Sequence, residues 1–213
     1  MTGFGDLIVG AIIVILIGAW VGFVRLAFES GRSDVWRRAA EDLGLDFEEE
    51  ADRLLSTDLA RLRFFSWTDG EVIKNVVCSG SETPQIMVFE YVSLSRANKK
   101  LGKHVTCVRD PARNLPWFRI EPKRFLSEYY GTVPFTEVPE FSRRYLVYGK
   151  EEERVRELIG KELQQMIGTE KGWSIEGLGE WLIVYRGRIK PTEIAAYLGR
   201  AESISRALRV SDG

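Results

Sequence analysis

The residue types best suited to nucleophilic chemistry in this chain of 213 residues are one histidine, His104, and two cysteines, Cys78 and Cys107. A thiol beside an imidazole is the arrangement of a cysteine nucleophile with its general base. Alternate side chains of a strand face opposite ways, so His104 and Cys107 do not converge within one strand. Cys78 could still meet His104 from a neighbouring strand. The alternative is a strand histidine at the sheet rim with two buried thiols.

Metal and nucleotide motifs are absent from the sequence. One histidine and two cysteines do not complete a closed zinc site, and no acidic cluster has calcium-loop spacing. The Gly-Lys pairs at 102, 149 and 160 lack the other residues of a phosphate loop. We therefore expect no metal and no cofactor. Carboxylates that converge through the fold leave no sequence signature, so a hydrolase-like enzyme using them, or Cys78 with His104, stays open.

An apolar run over residues 7–24 contains eighteen residues without a charge. As a helix it would extend roughly 27 Å, which predicts a short transmembrane span. No Lys or Arg precedes the run, whereas Arg25 and Arg32 follow it, and this asymmetry places the C-terminal domain in the cytoplasm and the N-terminus outside. A cleaved signal peptide is the competing interpretation, disfavoured because its basic leading region is missing.

Two further features are candidates for contacts with lipid or with a second copy of the chain. Gly18 and Gly22 form a small-xxx-small pair that would let two such helices pack closely as a homodimer, unless they are ordinary glycines of an apolar helix. A basic turn is a candidate for contact with an anionic membrane surface, and its alternative is a solvated hairpin tip. The residues of this turn are Arg96, Lys99, Lys100 and Lys103.

The remaining composition favours a folded domain that binds protein rather than nucleic acid. Beyond residue 28 there are 29 basic and 30 acidic residues, so no basic face is expected and nucleic acid is not an expected partner. The aromatic-rich stretch from Leu115 to Pro122 could border a sheet edge that accepts a partner peptide by strand addition. The alternative is that these aromatic side chains form part of the core beneath a long loop.

Hydrophobic periodicity predicts both helices and strands in the chain. The predicted helices cover 34–43, 48–62, 151–168 and 191–208. The predicted strands cover 62–67, 72–78, 86–94, 104–109, 117–121, 145–148 and a hairpin of 173–176 with 181–186. Prolines bracket 117–121, which favours an edge strand or an extended loop there. We expect an α+β fold: an N-terminal segment, 1–28, with its transmembrane helix, then one domain, 29–213, with an antiparallel sheet and helices packed on one face.

This pattern is similar to that of uncharacterised bacterial single-pass membrane-anchored proteins classed as domains of unknown function. The residues that carry the resemblance are Phe89-x-Tyr91, Thr106, Leu115-Pro116-x-Phe118-x-Ile120-x-Pro122, Pro139-x-Phe141-Ser142, Tyr145 and the hairpin from Trp173 to Val184. The resemblance implies a location in the bacterial inner membrane and supplies no reaction or catalytic residue. We expect a membrane-tethered, non-enzymatic module that binds a protein partner or the membrane surface, with a membrane-associated enzyme as the alternative.

Overall fold

An antiparallel β-sheet organises the computed structural model, which describes residues 20, 31–51, 58–65, 69–80, 83–94, 100–124 and 131–209. Eight strands lie within these residues, in the order β1-β2-β3-β4-β8-β7-β5-β6. Their bounds are β1 Asp46–Glu50, β2 Asp69–Cys78, β3 Gln85–Leu94, β4 Lys100–Arg109, β5 Leu115–Pro122, β6 Tyr145–Gly149, β7 Ser174–Gly179 and β8 Trp181–Gly187.

Strict alternation in the central strands divides the core between the two faces of the sheet. Val88 of β3 pairs with Thr106 of β4, which pairs with Val184 of β8, so these three side chains share one face. Met87 and Cys107 pair in the same way and point to the other face. Both faces are therefore buried at the centre of the sheet, which accounts for the nearly continuous apolar runs of β3 and β8.

All five α-helices of the described residues pack on the Val88 side, which we call the helical face. Their bounds are α1 31–42, α2 Pro139–Arg144, α3 Glu152–Leu158, α4 Lys161–Gly168 and α5 Ile194–Ala207. Trp36 and Ala40 of α1 belong to one buried cluster with Val77 and Val88. Helix α5 lies over β3, β4 and β8, α3 lies against β5, and α4 packs against α2 and α5. The opposite face is covered by two short 3-10 turns, Asp58–Arg61 and Arg63–Phe65.

The prediction of a transmembrane helix is corrected at this point. No helix within the described residues is long and apolar enough to cross a membrane. Apart from Trp20, the predicted span 7–24 lies outside the described residues. Over the described residues the fold class is α+β, an antiparallel sheet with helices on one face, and the predicted transmembrane helix and the single-pass inner-membrane location that depended on it are withdrawn.

Three local predictions are also wrong. The chain over Asp46–Glu50 is strand β1 rather than the start of a helix, because its side chains alternate along the edge of β2. The stretch predicted as a strand from residue 62 instead forms a 3-10 turn, Arg63–Phe65. Strand β5 is not an edge, since β6 and β7 flank it and its prolines, Pro116 and Pro122, lie near its two ends.

Candidate functional site

The cysteines and the histidine do not form a catalytic pair. Cys78 pairs with Met87, and Met87 pairs with Cys107, so both thiols lie on the face opposite the helices. His104 pairs with Glu90 and points to the helical face. The sheet itself therefore separates His104 from both free thiols. Burial raises the pKa of the Cys107 thiol, which keeps it protonated and unreactive.

His104 is occupied as a structural residue. The backbone N–H of Ile189 donates to its Nδ1 atom, and its ring meets the Trp36 indole edge-on with centroids 5.2 Å apart. Burial lowers its pKa to about 4, and the positive charges of Arg32 and Arg188 act in the same direction. The ring is thus neutral at pH 7, and both of its nitrogens are occupied by protein groups, since Nε2 lies 3.3 Å from a guanidinium nitrogen of Arg32.

A buried carboxylate, Glu90, lies beside His104 under the start of α1. It accepts hydrogen bonds from the Arg32 guanidinium at 2.6 Å and from the Asn75 side-chain amide at 3.3 Å. Asn75 adopts φ of +52° at an irregularity of β2. A Cβ on Gly102 would lie 2.7 Å from the Glu90 carboxylate, so glycine makes the room for it. We call Arg32, Asn75, Glu90 and His104 the Glu90 cluster, and its charges are paired internally.

A second carboxylate, Glu176, is completely buried on the opposite face. The backbone N–H groups of Arg63 and Phe64 donate to it at 2.6 and 3.1 Å, and the Trp117 indole donates at 3.0 Å. These bonds hold the 3-10 turn against the sheet. Because the sheet lies between Glu176 and Glu90, the two do not make the converging carboxylate pair of a hydrolase.

Only some of the residues that were predicted to contact lipid or a second copy of the chain lie within the described residues. Gly18, Gly22, Arg96 and Lys99 lie outside the described residues, and Lys100 is described in its backbone alone. The Nζ atom of Lys103 lies over the Phe64 ring, 5.0 Å from its centroid, on the face opposite the helices. Burial lowers the pKa of Lys103, with Arg119 and Arg124 adding to the effect. The ammonium group of Lys103 therefore contacts aromatic rings, and the basic turn as a whole stays a prediction because Arg96 and Lys99 lie outside the described residues.

Positive charge instead gathers around a cavity of about 260 Å³ at one end of the sheet. It lies where β5 ends, α2 joins β6, and α4 leads into β7. Four basic side chains line it, and no acidic residue lines it among those described. The basic residues of this cationic cavity are Lys123, Arg143, Arg144 and Lys171.

The wall of the cationic cavity is fixed by hydrogen bonds between its segments. The Arg144 guanidinium donates to the carbonyl of Gly168, and the Tyr145 hydroxyl donates to the carbonyl of Glu170. The Glu170 carboxylate next to Lys171 is engaged elsewhere, by the guanidinium of Arg200 and the indole of Trp173. It therefore does not neutralise the cavity.

A second cavity, of about 180 Å³, adjoins the first, since Lys123 and Tyr145 line both. Its wall is divided between polar and apolar surface, and we call it the adjoining cavity. Its apolar lining comes from Val133, Pro134, Phe135, Phe141, Leu146 and Val147. Sequence reasoning missed both cavities. The dibasic pairs Lys123-Arg124 and Arg143-Arg144 were the available signal, but only the pairing of Pro122 with Tyr145 brings them together.

No group of three or more His, Cys, Asp or Glu side chains placed to hold a metal ion occurs in the part of the chain that the structure describes. The cationic cavity presents positive charge to a ligand, and the adjoining cavity presents a lining of mixed polarity.

Comparison with known protein families and with curated proteins found no match to this chain. Among solved structures, the chain is similar to the crystal structure of the mycobacterial trehalose monomycolate transport factor A, TtfA, with a TM-score of 0.60. The two share 14% sequence identity, and the match covers 86% of this chain and 99% of that one. At this identity the likeness shows a shared fold.

Proposed function

We propose that this chain is a non-catalytic binding module that recognises an anionic group in the cationic cavity. The observation that carries this proposal is the convergence of four basic side chains on one cavity without an acidic residue in its described lining. Like charges placed together raise the energy of the unliganded protein, and a bound anion relieves that repulsion. The likeness to the trehalose monomycolate transport factor supplies the fold alone and names no ligand for this chain.

Exposure of the cations supports binding rather than a structural role. Arg143 and Lys171 are exposed, and neither has an ion-pair partner within the described residues. Arg144, by contrast, is held in place by its bond to the Gly168 carbonyl. A positioned guanidinium can donate two parallel hydrogen bonds to a carboxylate or phosphate group, and the two exposed cations add positive charge beside it.

The lack of an enzymatic constellation supports the same proposal. Both ring nitrogens of His104 contact protein groups, Cys107 is buried, and both buried carboxylates accept hydrogen bonds from protein donors. A general base needs an accessible lone pair within reach of substrate. The polar groups that could have supplied chemistry on the described residues are thus used to hold the fold together.

Titration of the full chain with inorganic phosphate at low ionic strength tests this function. We expect saturable binding by calorimetry, and we expect the double variant Arg143→Gln, Lys171→Gln to weaken it by about tenfold or more, because two charge-assisted contacts are lost. Added salt should weaken binding to the unmodified chain.

The matched control is the double variant Arg38→Gln, Lys150→Gln. It removes the same net charge from exposed positions outside the cavity. Phosphate affinity should stay within about twofold of the unmodified chain, since distant exposed charges are largely screened. Equal weakening by both double variants would show a nonspecific charge effect and would refute the assigned site.

A further inference from the structure

We infer that the ligand of the cationic cavity carries two adjacent phosphate groups, as a diphosphate or a short bisphosphate does. This inference rests on the proposed function, because it assumes that the cationic cavity takes an anion. It adds which anionic group the ligand presents and how many of them the cavity holds.

The positive charge that lines the cationic cavity exceeds what one phosphate group balances. Four basic side chains line the cavity, and no acidic residue lines it among those described. A phosphate ester carries about 1.5 to 2 negative charges at pH 7, so one such group would leave at least half of the positive charge unmatched. A dicarboxylate would leave the same excess, whereas two phosphate groups together carry about 3 to 4 negative charges and match the lining.

Hydrogen bonds in the cavity wall leave this positive charge in place. The Arg144 guanidinium donates to the carbonyl of Gly168, a neutral acceptor that orients the side chain without cancelling its charge. The exposed side chains of Arg143 and Lys171 have no ion-pair partner within the described residues. Guanidinium groups donate to phosphate oxygens in pairs, and an ammonium group adds a compact charge beside them. Both kinds of cation are therefore available to phosphate oxygens.

The size of the cationic cavity also favours two phosphate groups. Its volume is about 260 Å³. The four oxygen atoms of one phosphate group occupy roughly 120 Å³ if each takes the volume of a water molecule in the liquid, about 30 Å³. One group would therefore fill about half of the cavity and leave exposed cations facing water. A second group attached to the first fills the remaining space and meets those cations.

The positive charge ends at the border between the two cavities. The adjoining cavity shares Lys123 and Tyr145 with the cationic cavity, and its described lining contains no basic residue besides Lys123. A third phosphate group that extended into the adjoining cavity would therefore meet no further cation. Since charge-assisted hydrogen bonds supply the affinity of such a site, the arrangement favours two phosphate groups over a longer polyphosphate.

A series of inorganic anions tests the inference on the full, unmodified chain. Phosphate, pyrophosphate and tripolyphosphate are titrated by calorimetry at equal ionic strength in a buffer without divalent cations, so that only the charges of the protein act on them. We expect pyrophosphate to bind about tenfold or more tightly than phosphate, because its second group gains charge-assisted contacts. Tripolyphosphate should bind within about threefold of pyrophosphate, since its third group meets no further cation.

The double variant Arg143→Gln, Lys171→Gln sharpens the test. Two basic side chains of the cavity remain in it, and one phosphate group balances them. We expect the affinity for pyrophosphate to fall by about thirtyfold or more, against about tenfold for phosphate, so that pyrophosphate loses most of its advantage. The matched control is the double variant Arg38→Gln, Lys150→Gln, whose exposed positions lie outside the cavity, and it should keep the full advantage of pyrophosphate.

Different outcomes separate the two proposals. If pyrophosphate binds no more tightly than phosphate and both depend on Arg143 and Lys171, the ligand with two phosphate groups is excluded and the cationic cavity stands. If tripolyphosphate gains over pyrophosphate as much as pyrophosphate gains over phosphate, binding follows total charge and the inference is likewise overturned. If the double variant binds phosphate as the unmodified chain does, the proposed function itself fails.

Discussion

The Glu90 cluster and the cationic cavity use similar side chains in opposite ways. In the cluster, a carboxylate, a guanidinium, an amide and an imidazole lie under α1, and the Glu90 carboxylate accepts from both Arg32 and Asn75. In the cavity, four cations line one space without an acidic neighbour in the described lining. Pairing of a buried charge has to offset the cost of removing that charge from water, whereas the exposed cations Arg143 and Lys171 are available to a ligand.

The comparison teaches that accessibility of unsatisfied charge, rather than the presence of reactive residue types, locates the candidate site. Glu176 makes the same point on the opposite face, since three protein donors engage its carboxylate. Substitution of a buried carboxylate that is bonded to protein donors should lower the free energy of unfolding. Substitution of an exposed cation in the cationic cavity should weaken ligand binding.

The largest expected effect is the loss of Glu176. Glu176→Ala leaves two backbone N–H groups and one indole N–H without their acceptor, and each unsatisfied buried donor costs about 1–3 kcal/mol. We expect the free energy of unfolding, measured by urea denaturation, to fall by about 3 kcal/mol or more. Glu153→Ala, at an exposed position of α3, is the control and should stay within about 0.5 kcal/mol. Similar losses in both variants would contradict a special role for Glu176.

The next effect tests how tightly the Glu90 cluster is packed. Gly102→Ala would place a methyl group 2.7 Å from the Glu90 carboxylate, and we expect a loss of about 1–3 kcal/mol in unfolding free energy. The same change in a Glu90→Ala background should cost clearly less, because the clashing group is gone. Gly199→Ala is the control: Gly199 lies in α5 with open space around it and should tolerate alanine or gain stability. A cost that persists without Glu90 would place the strain elsewhere.

A smaller effect should appear as the pH is lowered. The pKa of His104 is about 4 in the folded protein, against 6.5 for an ordinary histidine, so between these values the unfolded chain binds more protons. Stability should therefore be constant above pH 6.5 and fall as pH decreases towards 4, by at most about 1.4 kcal/mol per pH unit. His104 is the single histidine of the chain, so His104→Gln should flatten the unfolding free energy between pH 7 and 5. An unchanged slope in that variant would show that another group titrates.

The smallest expected effect lies in the cationic cavity. Arg143→Gln with Lys171→Gln should change the unfolding free energy by no more than about 0.5 kcal/mol without ligand, because no partner within the described residues is left unpaired. Phosphate should raise the Tm of the unmodified chain and have little effect on the double variant. A large loss of stability in the double variant would show that Arg143 and Lys171 stabilise the fold. It would contradict the distinction between the cationic cavity and the Glu90 cluster.

Local pattern was a good guide where runs of β-branched and aromatic residues were bounded by turn residues. The strands β2, β3 and β4 and the hairpin of β7 with β8 were anticipated on that ground. The helical prediction for 48–62 failed where the chain is described, because acidic residues tolerate an exposed edge strand, here Asp46–Glu50, as readily as a helix, and Asp58–Arg61 forms a 3-10 turn. The prolines of β5 suggested an edge, but they lie at or next to its ends, where the ladder does not need their N–H.

The candidate site lay beyond prediction for a different reason. The basic residues of the cavity come from segments far apart along the chain, and nothing in the local sequence distinguishes Lys123, Arg143 or Lys171 from other basic residues. His104 and Cys78, by contrast, are reactive residue types. The pairing of β2 with β3 and of β3 with β4 places their side chains on opposite faces of the sheet. Residue type indicates what chemistry is available, while pairing and burial decide whether it is free to act.

By itself, the sequence determined the α+β class of the sheet domain, the alternation of its central strands and the lack of metal and nucleotide motifs, because these depend on local periodicity and short spacing. Tertiary structure alone decided the strand order, the separation of thiols from imidazole, the pairing of Glu90 and Glu176 with protein donors, and the grouping of four cations around one cavity. These depend on contacts between residues distant in the chain, which no local pattern encodes.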